Sequence, residues 1–388
     1  MKSVFSIFST VFVLFCSAPT LSGAQNVLCG ADRTDGYVPL LKDKKVALLV
    51  NQTSVIRNAE GGYTHLADSL ISLDIDVRFL MAPEHGIKGL VSAGDAVGDS
   101  HYEKIKKLTV YSLYGKTKKP QAEWLKEVDV VVFDIQDVGC RFYTYLSTLK
   151  YLLEACGEQQ KEVLVLDRPN PNDTVDGPML KPAFRSFVGM VEVPLLHGCT
   201  LGEMARMMIG EGWIGEKKPR LTVIPCSGWN RNQPYSLPIA PSPNLRTDHA
   251  IRLYASLCLF EATDISVGRG TDWPFEVLGH PSLKGDFSFT PRNCTAATNP
   301  LQMNRLCHGF DLRETEVPTG FHLDWLICCI GQLGPSCIKQ PSFFDKLAGN
   351  DSLRLMIAEK KSEKAIRDSW QKELTEYRSM REKYLIYR

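Results

Sequence analysis

Short apolar segments rich in β-branched residues alternate with helical patterns through the first two thirds of the chain. Apolar runs of this length, bounded by polar turn residues, are typical of buried strands. The pattern predicts strands at residues 46–50, 77–81, 108–111, 128–133, 163–166 and 221–225. It predicts helices at residues 63–73, 121–126, 143–156 and 200–208. This alternation indicates βαβ units, and therefore an α/β fold with a mostly parallel sheet flanked by helices.

Two further regions depart from this alternation. Residues 169–198 are rich in proline and glycine, which predicts loop with little regular structure. From about residue 287 the strand-like pieces shorten, and residues 352–388 are rich in Lys, Glu and Arg with helical spacing. We therefore expect a larger domain over residues 25–285 and a smaller C-terminal α+β domain over residues 286–388.

The first 24 residues have the pattern of a secretory signal peptide. Lys2 supplies the positive end, residues 4–15 are apolar, and Ser22-Gly23-Ala24 is a small-residue cleavage site. A lipoprotein anchor at Cys16 is less favoured, because Phe15 stands where a small residue is expected. No later apolar run approaches the ~20 residues of a transmembrane helix. The sequence thus predicts export across the inner membrane to the periplasm.

Charge and cysteine content narrow the class of protein. Lys and Arg total 45 against 44 Asp and Glu, and no basic run is interleaved with aromatic residues, so a nucleic-acid partner is not expected. Twelve cysteines include one in the predicted signal segment, which leaves an odd number. Because no paired CxxC spacing occurs, we expect most of them to be buried small side chains rather than zinc ligands or disulfides.

Polar side chains follow four of the predicted strands. Asn51, Glu84-His85, Asp134 to Asp137 and Asp167-Arg168 each come directly after an apolar run. Ligands of open α/β sheets bind outside the carboxyl ends of the strands. We therefore predict a binding site at this edge, although Asn, Asp, Gly and Pro are also ordinary residues of βα loops.

Glu84 is the first candidate for chemistry, because a carboxyl group at a half-buried strand end is suited to general acid catalysis. The segment from Asp134 through Tyr145 adds two carboxylates, an arginine and tyrosines that suit sugar recognition, although Asp137 and Arg141 are equally compatible with a structural pair. The complete set of candidates is Glu84, Asp134 and Asp137 as catalytic residues, with His85, Asn51, Arg141, Tyr143, Asp167, Arg168, Asn170, His197, Asn244, Glu261 and Arg269 in substrate binding.

Several enzyme classes lack their motifs in this chain. The sequence has no Gly-x-Ser-x-Gly elbow, no His-Glu-x-x-His helix, no GxGxxG turn after a strand and no P-loop. We therefore expect neither a dinucleotide nor another cofactor. Acidic groups at strand ends are compatible with Mg²⁺, but hydrolysis of a glycosidic bond needs only an acid/base pair and no metal.

Six motifs in order resemble those of the exo-β-N-acetylmuramidase family, formerly a domain of unknown function, over nearly all of the chain after the signal segment. They are Pro83-Glu84-His85-Gly86, residues 134–145, Asp167-Arg168-Pro169-Asn170-Pro171, residues 197–203, Pro241-Ser242-Pro243-Asn244 and residues 266–276. The resemblance implies a Rossmann-like domain with a cleft completed by the C-terminal domain. It also implies release of N-acetylmuramic acid from the non-reducing end of peptidoglycan-derived disaccharides or short glycan fragments, with Glu84 as the acid.

The resemblance leaves the partners of Glu84 open. Arg141, Arg168 or Arg269 would hold the lactyl carboxylate of a muramic sugar. The second carboxylate remains to be chosen from Asp134, Asp137, Asp167, Glu261 and Glu276, unless the acetamido group of the substrate is the nucleophile. A non-catalytic periplasmic binding protein for muramic sugars is the alternative function, and a metal-dependent hydrolase is a more distant one.

Overall fold

The computed structural model describes residues 27–104, 108–231 and 233–387, so the predicted signal segment and Cys16 lie outside the described residues. Strands in chain order are β1 (Lys45–Val50), β2 (Val55–Arg57), β3 (Tyr63–His65), β4 (Asp76–Ala82), β5 (Ser100–His101), β6 (Thr109–Ser112), β7 (Val130–Asp134), β8 (Glu162–Leu166), β9 (Val175–Met179), β10 (Pro194–His197), β11 (Arg220–Ile224), β12 (Val277–His280), β13 (Phe287–Phe289) and β14 (Cys307–Asp311). Helices are α1 (Thr34–Leu41), α2 (Leu66–Ser72), α3 (Ala122–Lys126), α4 (Tyr145–Glu158), α5 (Leu201–Gly210), α6 (Asp248–Leu257), α7 (Asp324–Leu333), α8 (Pro341–Ala348), α9 (Ser352–Ala358), α10 (Glu363–Asp368) and α11 (Gln371–Arg381).

The main sheet contains seven of the described strands in the order β11-β8-β7-β1-β4-β6-β5. Neighbouring strands are parallel except at one edge, where β5 pairs antiparallel with β6. The chain extends from β1 through β4 to β6 and then returns to β7 on the other side of β1. This strand order is Rossmann-like and confirms the predicted α/β class. The reversal between β1 and β7 creates the crevice in which such sheets bind ligands.

All six predicted strands are confirmed to within two residues at each end. In β1, every residue from Val46 to Val50 is buried, because helices cover both faces of the sheet. The helix predicted at residues 63–73 is partly wrong. Tyr63–His65 instead form β3, a short ribbon with β2, and α2 begins only after His65. The His65 side chain caps α2 by accepting a hydrogen bond from Ala67 N.

The loop predicted for residues 169–198 is wrong in part, because β9 and β10 form an antiparallel ribbon there. Proline is tolerated in this ribbon because Pro194 occupies the first residue of β10. Leu195 and Leu196 of β10 are fully buried. Core packing therefore orders a segment whose composition is typical of loops.

A smaller unit follows, with a three-stranded antiparallel sheet in the order β12-β14-β13 and helices α7 to α11. This sheet begins at Val277, before the predicted boundary at residue 286. A single buried cluster contains Leu149 of α4 together with Phe344 of α8 and Leu374 of α11. The C-terminal helices thus pack directly against the larger unit and help to form the wall of a cavity.

Cysteines make no disulfide among the described residues: all eleven are free and nine are buried, as predicted. None of the described helices combines the length and apolar character that a membrane crossing requires. The described residues also contain no group of three or more His, Cys, Asp or Glu side chains arranged to hold a metal ion.

Candidate active site

A cavity of about 400 Å³ lies beyond the carboxyl ends of β4, β6 and β7. This volume lies toward the small end of the range for small-molecule sites. The sheet side contributes Glu84, His85, Tyr114, Tyr143 and Thr144, and the opposite wall contributes Tyr254, Glu261, Arg269, Phe275 and residues 296–301. Five of the predicted site residues, Glu84, His85, Tyr143, Glu261 and Arg269, are therefore brought together around one cavity.

Glu84 is half-buried and follows β4 and Pro83 directly. Its Oε1 accepts a hydrogen bond from Gly94 N at 2.9 Å, and its Oε2 accepts one from Thr144 Oγ1 at 2.6 Å. Burial and the neighbouring Glu84 carboxylate raise the pKa of the Tyr114 hydroxyl, which also hydrogen-bonds to Glu84. These partners hold the carboxyl group in one orientation at the cavity wall.

His85 is buried beside Glu84, with a backbone φ of 69° in the left-handed region. Non-glycine residues are uncommon in this region and cluster at functional sites. Its Nδ1 lies 2.7 Å from the Val91 carbonyl oxygen and therefore donates a hydrogen bond to it. Burial lowers the pKa of His85 despite the opposing effect of Glu84. The imidazole is thus neutral at pH 7, with Nε2 as its acceptor nitrogen.

Arg269 and Glu261 form an ion pair on the opposite wall, through Arg269 Nε and Glu261 Oε1. The side chains are 19% and 24% exposed, so both retain surface toward the cavity. The guanidinium also lies over the ring of Phe275, 4.9 Å from its centroid. The ion pair with Glu261 and the contact with the Phe275 ring therefore restrict the orientation of the Arg269 guanidinium.

Tyr143 and Asn244 connect the sheet edge to the far wall. The Tyr143 hydroxyl donates to the Pro241 carbonyl at 2.9 Å. Asn244 is buried outside the cavity lining, and its Nδ2 donates to the Ala296 carbonyl at 2.8 Å. Since Ala296 itself lines the cavity, Asn244 positions the wall rather than facing the interior.

Asp134 and Arg168 do not line the cavity. They form a buried ion pair, with Arg168 Nε and Nη2 donating to the two carboxylate oxygens of Asp134 at 2.6 and 2.9 Å. Burial alone would lower the pKa of Arg168, but the adjacent Asp134 carboxylate reverses this effect and raises it. Nη2 also donates to the Val55 carbonyl at 3.0 Å. The guanidinium therefore joins the β7 strand end to the first residue of β2.

Arg141 is completely buried and has no surface for a ligand. Its guanidinium donates to the carbonyl oxygens of Pro178, Val193 and Leu347 at 2.8, 2.8 and 2.9 Å. Asp137 is not among its partners, so the alternative of an i, i+4 pair is wrong. Arg141 instead holds the β9–β10 ribbon against α8.

The remaining predicted residues lie behind the cavity. Asp137 accepts a hydrogen bond from Gly139 N at 2.7 Å, and the Nε2 of the fully buried His197 lies 3.6 Å from its Oδ2. Asn51 donates to the Tyr145 hydroxyl at 3.1 Å, and Asn170 donates to the Cys199 carbonyl at 2.9 Å. Asp137 and Asn51 thus contact the segment around Tyr143 and Thr144, whereas Asn170 joins the loop after β8 to the loop before α5.

Comparisons with known proteins agree with this architecture. A family model described as exo-beta-N-acetylmuramidase NamZ, N-terminal, matches residues 46–249, and its C-terminal counterpart matches residues 252–387. This chain belongs to the exo-β-N-acetylmuramidase NamZ family. The family resemblance predicted from the motifs is thus confirmed.

Relatives cover nearly the whole chain. A peptidoglycan beta-N-acetylmuramidase NamZ of Bacillus subtilis is 39% identical, with 91% of each chain covered. A crystal structure of a DUF1343 family protein from Bacteroides fragilis has a TM-score of 0.84 at 39% identity, covering 94% of this chain and 99% of its own. A second B. fragilis DUF1343 structure has a TM-score of 0.80 at 26% identity, covering 94% and 100%.

Sequence reasoning missed two residues that this NamZ family member places against Glu84. Tyr114 follows β6, so the rule that singled out the other strand ends would also have found it. Thr144 stands within the recognised segment after β7, but its contact with Glu84 spans 60 residues of sequence. No local pattern signals a contact of that length.

Asp167 of this family member is buried, and its hydrogen bonds hold parts of the protein together. Its Oδ1 accepts from Gly202 N at 2.8 Å, and its Oδ2 accepts from the Thr200 and Tyr387 hydroxyls, both at 2.7 Å. Thr200 and Glu203 also form a capping box at the start of α5. Asp167 therefore joins the β8 strand end to α5 and to Tyr387.

Asp167→Asn is expected to change how stability depends on pH. Burial raises the pKa of Asp167 to about 6, although its hydroxyl donors oppose this effect. The folded protein then binds more protons than the unfolded chain between about pH 4 and pH 6, so this group's stabilisation is lost as the pH rises through that window. Urea unfolding of wild type and variant from pH 4 to pH 7 measures the difference. If the free energy of unfolding changed with pH in the same way in both proteins, the raised pKa of Asp167 would be contradicted.

Proposed function

We propose that this chain is an exo-acting glycosidase that releases N-acetylmuramic acid from the non-reducing end of peptidoglycan fragments. The name of the B. subtilis relative supports the substrate class and the glycoside hydrolase activity. The observation that carries the proposal is the half-buried Glu84 carboxyl group at the wall of a cavity of about 400 Å³. A cavity of this size favours one terminal sugar over a long glycan.

In the proposed reaction, Glu84 is the general acid. Its proton passes to the glycosidic oxygen as the bond from that oxygen to the anomeric carbon breaks. Water finally supplies the hydroxyl of the released sugar, and the other proton of that water restores the Glu84 carboxyl group. Thr144 suits this cycle, because its hydroxyl donates to an ionised carboxylate and accepts from a protonated one. Glu84 can therefore keep this partner in both protonation states.

The sequence leaves two kinds of candidate for the group that acts opposite Glu84. Glu261 is the only one of the five predicted second carboxylates that lines the cavity, but it is paired with Arg269. The acetamido group of the substrate is the other candidate, and it requires no second carboxylate. The anomer released first distinguishes inversion from retention. A retaining reaction passes through an intermediate bonded on the face opposite the leaving group, which water then displaces from the original face.

The function is tested by incubating the purified protein with the disaccharide of N-acetylmuramic acid β-linked to N-acetylglucosamine. We expect both monosaccharides to appear in equal amounts, over many turnovers per protein molecule, as measured by chromatography and mass spectrometry. Saturable binding of the disaccharide without release would contradict the proposal and identify a binding protein instead. Activity that disappears with a chelator and returns with a divalent cation would identify a metal-dependent hydrolase.

A further inference from the structure

Resting on the function proposed above, we infer that Arg269 binds the lactyl carboxylate that distinguishes N-acetylmuramic acid from N-acetylglucosamine. Of the three arginines that sequence analysis left open, Arg141 and Arg168 are buried and directed at protein groups. Arg269 is the only Arg or Lys among the described residues that lines the cavity. It is therefore the one cation that an anionic sugar substituent meets there.

Arg269 is prepared for a bidentate contact. Glu261 engages Nε and Phe275 covers one face of the guanidinium, which leaves the edge formed by Nη1 and Nη2 for a ligand. A guanidinium edge with two N–H groups matches the two oxygens of a carboxylate. Because its orientation is already restricted, less side-chain freedom is lost when the ligand binds.

The turn that carries Arg269 is itself rigid. Gly268 and Gly270 have φ values of 78° and 80°, in the region that favours glycine. A Cβ on Gly268 would lie 2.5 Å from the Trp273 carbonyl oxygen, and one on Gly270 would lie 2.4 Å from the Arg292 carbonyl oxygen. Close packing on both sides therefore fixes the backbone from which the guanidinium projects.

Arg269 is also placed appropriately for the reacting end of the sugar, because it lines the same cavity of about 400 Å³ as Glu84 and His85. Its positive charge also contributes to lowering the pKa of His85, after the larger effect of burial. The lactyl ether is attached to C3, only two bonds from the anomeric carbon. A sugar with its glycosidic oxygen at Glu84 thus carries its carboxylate into the same small cavity as Arg269.

The test compares cleavage of 4-nitrophenyl N-acetyl-β-muramide with that of the matching N-acetyl-β-glucosaminide. Arg269→Gln is expected to lower kcat/KM for the muramide by about 10- to 100-fold, the usual loss of a charge-assisted hydrogen-bond pair, and to change the glucosaminide value by less than about threefold. Arg269→Lys is expected to be intermediate because it keeps the charge without the fork. Arg220→Gln, which changes an exposed arginine on β11 outside the cavity lining, is the matched control and should change neither value.

Equal losses on both substrates, or no loss on either, would overturn the role of Arg269. If wild type cleaves neither substrate, the proposed function fails, and calorimetry with free N-acetylmuramic acid and N-acetylglucosamine then tests the recognition separately. We expect the muramic sugar to bind at least about tenfold more tightly to wild type, with this preference lost in Arg269→Gln. Equal affinity for the two sugars, or binding of neither, would reject the inference.

Discussion

Replacing Glu84 with Gln is expected to lower kcat for the natural disaccharide by about 10³-fold, within the range that general acid catalysis contributes. The amide retains the size of the carboxyl group. Its oxygen can accept from Gly94 N and its nitrogen can donate to the Thr144 hydroxyl, so the side chain keeps its place. The variant lacks only the proton that the departing oxygen needs. Single-turnover and steady-state rates on the disaccharide measure the loss.

Comparing two substrates with different leaving groups tests whether Glu84 acts as the acid. A 4-nitrophenolate departs without protonation, so Glu84→Gln should lose much less activity on the 4-nitrophenyl muramide than on the disaccharide. Equal loss on both substrates would assign Glu84 another role, such as nucleophile. Glu103→Gln removes an exposed carboxylate outside the cavity lining, paired with Lys88, and should leave both rates unchanged. Thermal unfolding of each variant separates loss of chemistry from loss of fold.

Arg168→Met is expected to lower the free energy of unfolding by about 3–5 kcal/mol. Asp134 is fully buried and both of its carboxylate oxygens accept from Arg168, so the substitution leaves a negative charge without its cation. The penalty arises from that uncompensated charge rather than from the energy of the pair itself. Urea denaturation at pH 7, with the slope compared between the two proteins, measures the change.

The double variant Arg168→Met/Asp134→Leu is the matched control. Because it removes both charges, it should recover much of the lost stability, whereas the two single changes should not be additive. A stability change below about 0.5 kcal/mol in Arg168→Met, accompanied by weaker substrate binding, would contradict a structural role. Arg168 would then be a substrate ligand, as the sequence analysis proposed.

Much of the larger unit was predictable because its signals are local. An apolar run such as residues 46–50 is buried on both faces, and the polar residues after it must emerge at one sheet edge. The same reasoning placed Glu84 and His85 at the cavity. The errors lie where packing overrides composition: Tyr63–His65 pair with β2, and core contacts order the proline-containing β10.

The distinction between cavity-facing and buried polar residues could not be predicted. Asp134 and Glu84 both occur at strand ends, but Asp134 turns toward Arg168, a residue 34 positions later, whereas Glu84 meets Thr144. These partners depend on how neighbouring strands align, and no periodicity in a single chain encodes that alignment. For the same reason, the three arginines could be ranked only after their contacts were known.

The hydrogen bond between Tyr387 and Asp167 has a consequence for how the protein assembles. It joins residues 220 positions apart, and the backbone N–H groups of Ile386 and Tyr387 also donate to Glu203 at the start of α5. Contacts of such high sequence separation raise the contact order, which slows folding. Until the C-terminal segment has docked, Asp167 and Glu203 of the larger unit lack these hydrogen bonds. The two units of this chain therefore gain stability cooperatively rather than as autonomous modules.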